Sequence, residues 1–353
     1  MPTDDRCALN LQEKEATDAV FLPRYLRNSI MIKVMQRLWR ALNATVSKSS
    51  GRAAISLQSS GIFVVLVSRP AAGMPVVDRA FSHETFTGNS VVILEKMVQV
   101  EALEKYRCSH LLNAGEYQLL TVDTPAVPQS ELKDAMRWIV KDMLDFPAED
   151  ATIDILAVPL DKTGPIRSTS MFAVVARNSI ISQRQKLFEA AGLDLAAIDI
   201  PEVAQRNISA VLEPEGKALA LLSLNADGGL MTITFAGELY LSRRMEISLV
   251  QLKQADLFEL AQLHEQITLE LQRSLDHFYR QHHEMQLSKL VLAPMGQPGP
   301  DLLAYLTRNL NSQVEILDMA SIMDLSATPD LRDSDNQQKY FMTLGAALRT
   351  KSI

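Results

Sequence analysis

Two short stretches of this chain set glycine beside hydroxyl and amide groups between apolar runs. One is Ser56-Leu57-Gln58-Ser59-Ser60-Gly61; the other is Ser223-Leu224-Asn225-Ala226-Asp227-Gly228-Gly229. Both read as turns between two strands, the first joining Ala53–Leu57 to Ile62–Ser68. A glycine-bearing turn offers a cradle of backbone N–H groups to an anion, because the missing side chain lets the main chain come close to an oxygen. Phosphate suits such a cradle, and a magnesium ion beside it requires carboxylate and water oxygens. Asp227 is the acid in the second turn, and it either supplies a metal ligand or caps its own backbone.

Other chemistry-bearing residues are arranged less well. His277, His282 and His283 lie near one helix end, but their spacings do not stack ligands on one face. Arg243-Arg244 follows the second turn, where the pair either meets an anion or is ordinary surface. No Walker A loop, GxGxxG or GxSxG follows a strand. Cys7 and Cys108 form no CxxC and read as reduced thiols, so no metal site is expected.

The elements that must position these groups form an ordinary globular chain. It has 353 residues, 47% hydrophobic and 22% charged, enough for two or more cores. A net charge of −7 argues against nucleic acid as a partner. The longest apolar runs, such as Ile62–Val67, fall well short of the roughly 20 residues that span a bilayer. Residues 1–20 are charged and lack a signal-peptide pattern, which predicts a cytoplasmic protein.

Residues 1–51 read as an N-terminal extension. Within it, residues 30–42 place Ile30, Met31, Val34, Met35, Leu38, Trp39 and Leu42 on one helical stripe, with Lys33, Arg37 and Arg40 off it. Such a basic amphipathic helix fits an anionic membrane surface, a partner or its own domain. Asn43–Gly51 is a polar linker, and a start at Met31 or Met35 would remove the unpatterned leader.

From Arg52 the pattern alternates strands and helices. A helix is expected over Val91–Arg107, a strand over Tyr117–Val122, and a helix over Ser130–Leu144 with Ser130 as its cap. Strands Ala151–Val158 and Ser170–Ala176 follow, then a helix from Ile180 that stops at Gly192. Ile198–Ile200 is a strand, and Glu213-Pro214-Glu215-Gly216 closes the first half. Residues 217–245 read as a hairpin series, and a long helix over about 255–282 turns Leu260, Leu263, Ile267, Leu271, Ser274 and Phe278 inward. A strand Lys289–Ala293 and two helices complete the chain.

The two turns align as Ser-Leu-amide-small-x-Gly, each in the first hairpin of an α/β half, which predicts a duplicated architecture with a cleft between the lobes. At this point the chain resembles actin-like ATPases, and within them the PilM branch that serves type IV pili, in particular its MshI relatives in mannose-sensitive haemagglutinin pilus biogenesis. The resemblance runs from about Arg52 to Arg349. It rests on the hairpins, Glu131–Pro159, Ala190–Glu202 (AAGLDLAAIDIPE), Leu271–Phe278 (LQRSLDHF) and Leu344–Arg349 (LGAALR). It implies an α/β, actin-like (ribonuclease H-like) duplicated two-lobe fold. The lobes are 52–212, with a small inserted subdomain at about 128–176, and 213–353, with a long-helix subdomain at about 246–285.

In that family the turns carry Asp-x-Gly, the acid near magnesium and the glycine near phosphate. Here Ser56 and Gln58 stand at those positions in the first turn, and Ser223 and Asn225 in the second. Of the family's glycine-rich adenosine loop, Pro294-Met295-Gly296 keeps only Gly296. The resemblance therefore implies a degenerate nucleotide cleft formed by Ser56, Gln58, Ser59, Ser60, Gly61, Ser223, Asn225, Asp227, Gly228, Gly229 and Gly296. ATP and Mg²⁺ are the cofactors it would take if any, and no catalytic residue is expected. It also implies a scaffold that binds the cytoplasmic N-terminal tail of a PilN-like inner-membrane protein, together with other pilus assembly proteins, at the inner face of the inner membrane. Met136, Ile139, Val140 and Phe146 either line the groove for that tail or form the subdomain core. The alternative is a working ATPase whose nucleotide state gates partner binding.

Overall fold

Two five-stranded sheets of identical plan account for most of the body. In the computed structural model, residues 51–83, 90–157 and 170–350 are described. The expectations for residues 1–50, including the helix at 30–42, lie outside them. Strands β1 (Arg52–Gln58), β2 (Gly61–Ser68) and β3 (Val76–His83) form an antiparallel meander, followed by helix α1 (Ser90–Glu101) and by β4 (Arg107–Leu111), parallel to β1. The chain then builds β5 (Tyr117–Asp123), α2 (Leu132–Val140), β6 (Ala151–Ala157) and β7 (Ser170–Arg177) before α3 (Asn178–Ala190) and β8 (Leu195–Asp199), parallel to β4. After α4 (Pro201–Leu212) the plan repeats with β9 (Ala218–Asn225), β10 (Gly228–Phe235) and β11 (Glu238–Met245). Helices α5 (Leu249–Gln254) and α6 (Leu257–Gln281) lead to β12 (Leu287–Leu292), parallel to β9. Then come α7 (Pro298–Asn309), β13 (Val314–Ile316) and α8 (Ser334–Ala347). The strand orders β3-β2-β1-β4-β8 and β11-β10-β9-β12-β13 match position for position.

Period-two alternation on buried strands sorts side chains into layers. Ala53 and Ile55 face α1 and α3, whereas Ala54 faces inward; Leu222 and Leu224 face α5 to α7, whereas Leu219 and Leu221 face inward. The inward faces share one core with α4 and α8. These two helices are exchanged: α4, which ends the first half, packs on β9, β10 and β11, and α8, which ends the second, packs on β1, β2 and β4. They cross so closely that a Cβ on Gly345 would collide with the carbonyl oxygen of Ala204, and Asn207 Nδ2 donates to the Gly345 carbonyl at 3.0 Å.

Several expectations need correction. The helix expected to reach Arg107 stops at Glu101, because Arg107–Leu111 (RCSHL) is the strand between β1 and β8. Its Ser, His and Cys hide the apolar signature of a buried strand. The edge strand β3 was also missed, since its polar residues face solvent. Of Ser130–Leu144 only Leu132–Val140 is α-helical, and Ser130 lies in a preceding 3₁₀ turn without capping the helix. The inserted subdomain begins at β5, before residue 128, and its sheet has the order β5-β7-β6. Residues 246–285 form no subdomain of their own: Leu252, Ile267, Leu271 and Phe278 share a core with β9 and β12.

Gly345→Ala separates two effects of opposite sign. Helix propensity favours alanine by about 1 kcal/mol, whereas forcing a methyl into a packed crossing costs about 1–3 kcal/mol. The variant is expected to unfold at lower urea than the wild type; a higher midpoint would show that α4 and α8 are not held this close.

Candidate functional site

The two turns occupy equivalent places in equivalent hairpins. Gln58 pairs with Gly61 and Ser56 with Phe63; Asn225 pairs with Gly228 and Ser223 with Leu230. Each turn is thus two residues long, Ser59-Ser60 and Ala226-Asp227, and the aligned serines both lie on the inward face. Ser56 is buried and accepts from Gln58 Nε2 at 3.1 Å. Ser223 is buried and donates to Gln205 Oε1 of α4 at 2.7 Å. The Gln205 amide in turn donates to Leu221 O, Leu230 O and Thr232 Oγ1 at 2.7, 3.2 and 2.9 Å.

The glycines are explained by packing. A Cβ at Gly228 would come within 2.5 Å of the Met245 carbonyl oxygen, and one at Gly229 within 2.9 Å of Leu224 Cδ2. Gly296 has φ +66°, and a Cβ there would collide with the Asp335 carboxylate. That carboxylate is held by Lys253 at 2.9 Å, while Ser334 Oγ accepts from the Gly296 N–H at 3.3 Å. The exposed second turn is closed by Asn225 Oδ1, which accepts from the Asp227 N–H at 2.8 Å, so the turn's backbone cap is Asn225 rather than Asp227.

Two acids near these loops, Glu202 and Asp335, are matched within the chain. Glu202, in the first turn of α4, is only 1% exposed; it accepts from Tyr117 Oη and from Arg244 Nη2, the latter at 2.8 Å. Arg244 also donates to Tyr117 Oη. The anion that Arg244 meets is therefore a carboxylate of this protein, and the contact ties β5, α4 and β11 together. Burial, followed by the neighbouring carboxylate, pushes the Tyr117 hydroxyl well above the usual tyrosine range, so it stays a donor. As a set for Mg²⁺·ATP these residues fit poorly: neutral hydroxyls stand at the two aligned positions, one of them bonded to Gln205, and the nearby acids Glu202 and Asp335 are paired with cations.

A cavity of about 580 Å³ opens at the end of β1, lined in part by Leu57, Gln58, Asn113, Arg184 and Lys186. It lies toward α3, on the face away from α4 and α8. Asn113 Nδ2 donates to the Leu57 carbonyl at 2.7 Å, and Glu116 joins the Asn113 N–H at 2.8 Å to Arg184. Beneath these residues His110 is fully buried against Phe188, with Nδ1 3.0 Å from Ile55 O. Burial lowers its pKa to about 4. Cys108 is a buried thiol pushed up to about 12, again by burial, and is inert as a nucleophile.

The four residues offered for a partner groove divide between core and surface. Met136, Val140 and Phe146 are buried in the subdomain core against Ile153, Ala173 and Val175, because a spacing of four turns Leu132, Met136 and Val140 onto the sheet. Ile139 lies on the opposite, exposed face with Trp138, which is 75% exposed, and with Met143. Sequence reasoning missed Tyr117, Glu202 and Gln205. A signal was present: charged residues stand inside the apolar runs AAGLDLAAIDIPE and LGAALR, and these supply Glu202 and the buried pair Asp199–Arg349 at 2.5 Å.

No family model matches the chain, and no curated protein matches it. Among solved structures it is similar to that of the PilM–PilN type IV pilus biogenesis complex, at 17% identity over 86% of this chain and 99% of that one, with a TM-score of 0.66. It is also similar to a Bacteroides thetaiotaomicron protein with an actin-like ATPase fold, at 11% identity over 80% and 96% of the two chains and a TM-score of 0.47. The cytoplasmic domain of EpsL, an inner-membrane component of the Vibrio cholerae type II secretion system, matches at 15% identity over 59% and 76%, with a TM-score of 0.39. With two sheets of one plan and two hairpins of one register, the class is clear: the chain has the actin-like fold.

Two measurements test the buried groups. Gln205→Leu leaves Ser223 and two strand carbonyls short of a partner and is expected to cost about 1–3 kcal/mol in urea unfolding; an unchanged midpoint would remove Gln205 from the account. For His110 the folded pKa lies below the unfolded 6.5, so the unfolded chain binds the extra proton first. Stability is therefore full above about pH 6.5 and is lost as pH falls toward 4, by on the order of 3 kcal/mol. His110→Phe should flatten that part of the pH profile.

Proposed function

We propose that this protein is an actin-like scaffold of a type IV pilus assembly machine, of the MshI type that serves mannose-sensitive haemagglutinin pili. In this reading it stands in the cytoplasm and holds the N-terminal tail of a PilN-like bitopic protein, which recruits it to the inner face of the inner membrane. It works there with other pilus assembly proteins and does not hydrolyse ATP. The observation that carries the reading is the pair of register-equivalent turns with Ser56 and Ser223 in place of carboxylates. The likeness to a solved complex whose name joins PilM to PilN supports the partner. Among the described residues no helix is long and apolar enough to cross a membrane, which accords with attachment through a partner.

The inserted subdomain suits an extended tail. β5 and β6 are the edges of its three-stranded sheet, and an extended peptide adds to such an edge by main-chain pairing. Beside it α2 presents Trp138 and Ile139 to solvent and the 3₁₀ turn after it presents Met143, with Lys141 over the Trp138 ring. A large exposed aromatic is the kind of anchor that dominates binding energy.

Calorimetric titration tests both halves of the proposal. The expected result is no heat with ATP and Mg²⁺, about micromolar binding of the tail peptide, and at least about tenfold weaker peptide binding by Trp138→Ala/Ile139→Ala, equivalent to about 1.4 kcal/mol. Micromolar nucleotide binding with phosphate release would establish the working ATPase instead.

A further inference from the structure

Four guanidinium groups gather at the end of the first sheet that lies about 20 Å from its hairpin turn, the length of β1. Arg52 opens β1 and sits directly opposite Arg107, which opens β4, in the parallel register. Alternation along β1 puts Arg52 on the same face as Ala54, toward α8. Arg69 follows the end of β2, and its Nη2 donates to the carbonyl of Leu348, the neighbour of Arg349. The guanidinium of Arg52 is destabilised first by burial and then by Arg107, Arg349 and Arg69, with Asp199 alone opposing them. Asp199 is itself committed to Arg349.

This arrangement works against folding. Like charges directly opposite on neighbouring strands destabilise a sheet, and partial burial strengthens their repulsion. The carbonyl end of α8 offsets only about half a charge. Among the described residues Arg52, Arg69 and Arg107 form no ion pair, which leaves a positive corner beside the Asp199–Arg349 pair, and a phosphate group fits it. Its oxygens accept paired guanidinium hydrogen bonds, and its charge turns the repulsion into attraction. We propose that Arg52, Arg69 and Arg107, beside the Asp199–Arg349 pair, form a phosphate-binding site, separate from the hairpin turns and independent of tail binding. The phosphate belongs either to a soluble ligand or to a phospholipid headgroup.

The test uses the full chain and Arg52→Gln/Arg107→Gln. Inorganic phosphate and pyrophosphate are titrated calorimetrically, and flotation is compared on phosphatidylglycerol and phosphatidylcholine vesicles. A soluble source is shown by phosphate or pyrophosphate binding that the variant loses at least about tenfold. A lipid source is shown by flotation on phosphatidylglycerol alone that the variant loses. In phosphate-free buffer the variant is expected to melt no lower than the wild type, because repulsion has been relieved. The proposal is overturned if the wild type gives neither response, if the variant keeps both, or if it melts well below the wild type and so needs the arginines for folding. Tail-peptide binding is measured on the same samples, so loss of this site leaves the assembly proposal standing.

Discussion

The body depends on the crossing of α4 and α8. Each helix ends one half of the chain and lies on the sheet of the other, so neither inward face is covered without its counterpart. The approach is fixed where Gly345 meets the Ala204 carbonyl and where Asn207 reaches the Gly345 carbonyl. At its far end Arg349 holds Asp199, both almost wholly buried. Stranding one member of such a pair costs about 3–5 kcal/mol, so the strand end carrying Asp199 and the chain end carrying Arg349 are held in one relative placement.

The same crossing explains the character of the turns. Because α4 lies on β9 and β10, Gln205 reaches Ser223 and the neighbouring strand carbonyls, filling with an amide network the place beside the second hairpin. At the head of α4 Glu202 engages Tyr117 and Arg244. A carboxylate in the first turn of a helix is favoured by the helix dipole, and here it occupies the end of the helix best suited to receive an anion. The result is a junction in which the inserted subdomain, the first half and the second half share one set of hydrogen bonds.

Much of this was legible in the sequence. The pairing of Ser56–Gly61 with Ser223–Gly228 gave the correct hairpin equivalence, because a two-residue turn between apolar strands fixes register locally. The long inward stripe of α6 was also plain, since Ile267, Leu271 and Phe278 recur at helical spacing. What escaped depended on neighbours distant in the chain. β4 is central although RCSHL is half polar, because His110 finds Ile55 O and Cys108 finds Leu103 O. Met136 and Ile139 are similar apolar residues three positions apart, yet one is core and the other surface, which only the packed sheet beneath α2 decides.

Gly228, Gly229 and Gly296 have a consequence for how such a chain changes over time. Gly228 is demanded by the Met245 carbonyl oxygen, Gly229 is crowded by Leu224 and Met245, and Gly296 is required by its left-handed backbone, whether or not a ligand is ever present. A carboxylate whose sole task is to hold a metal has no such second tenant: once the metal is dispensable, serine is as good, or better. Selection on folding alone would therefore keep these glycines indefinitely while leaving such a carboxylate free to drift. The glycines of these turns accordingly report how the protein packs, not what it binds.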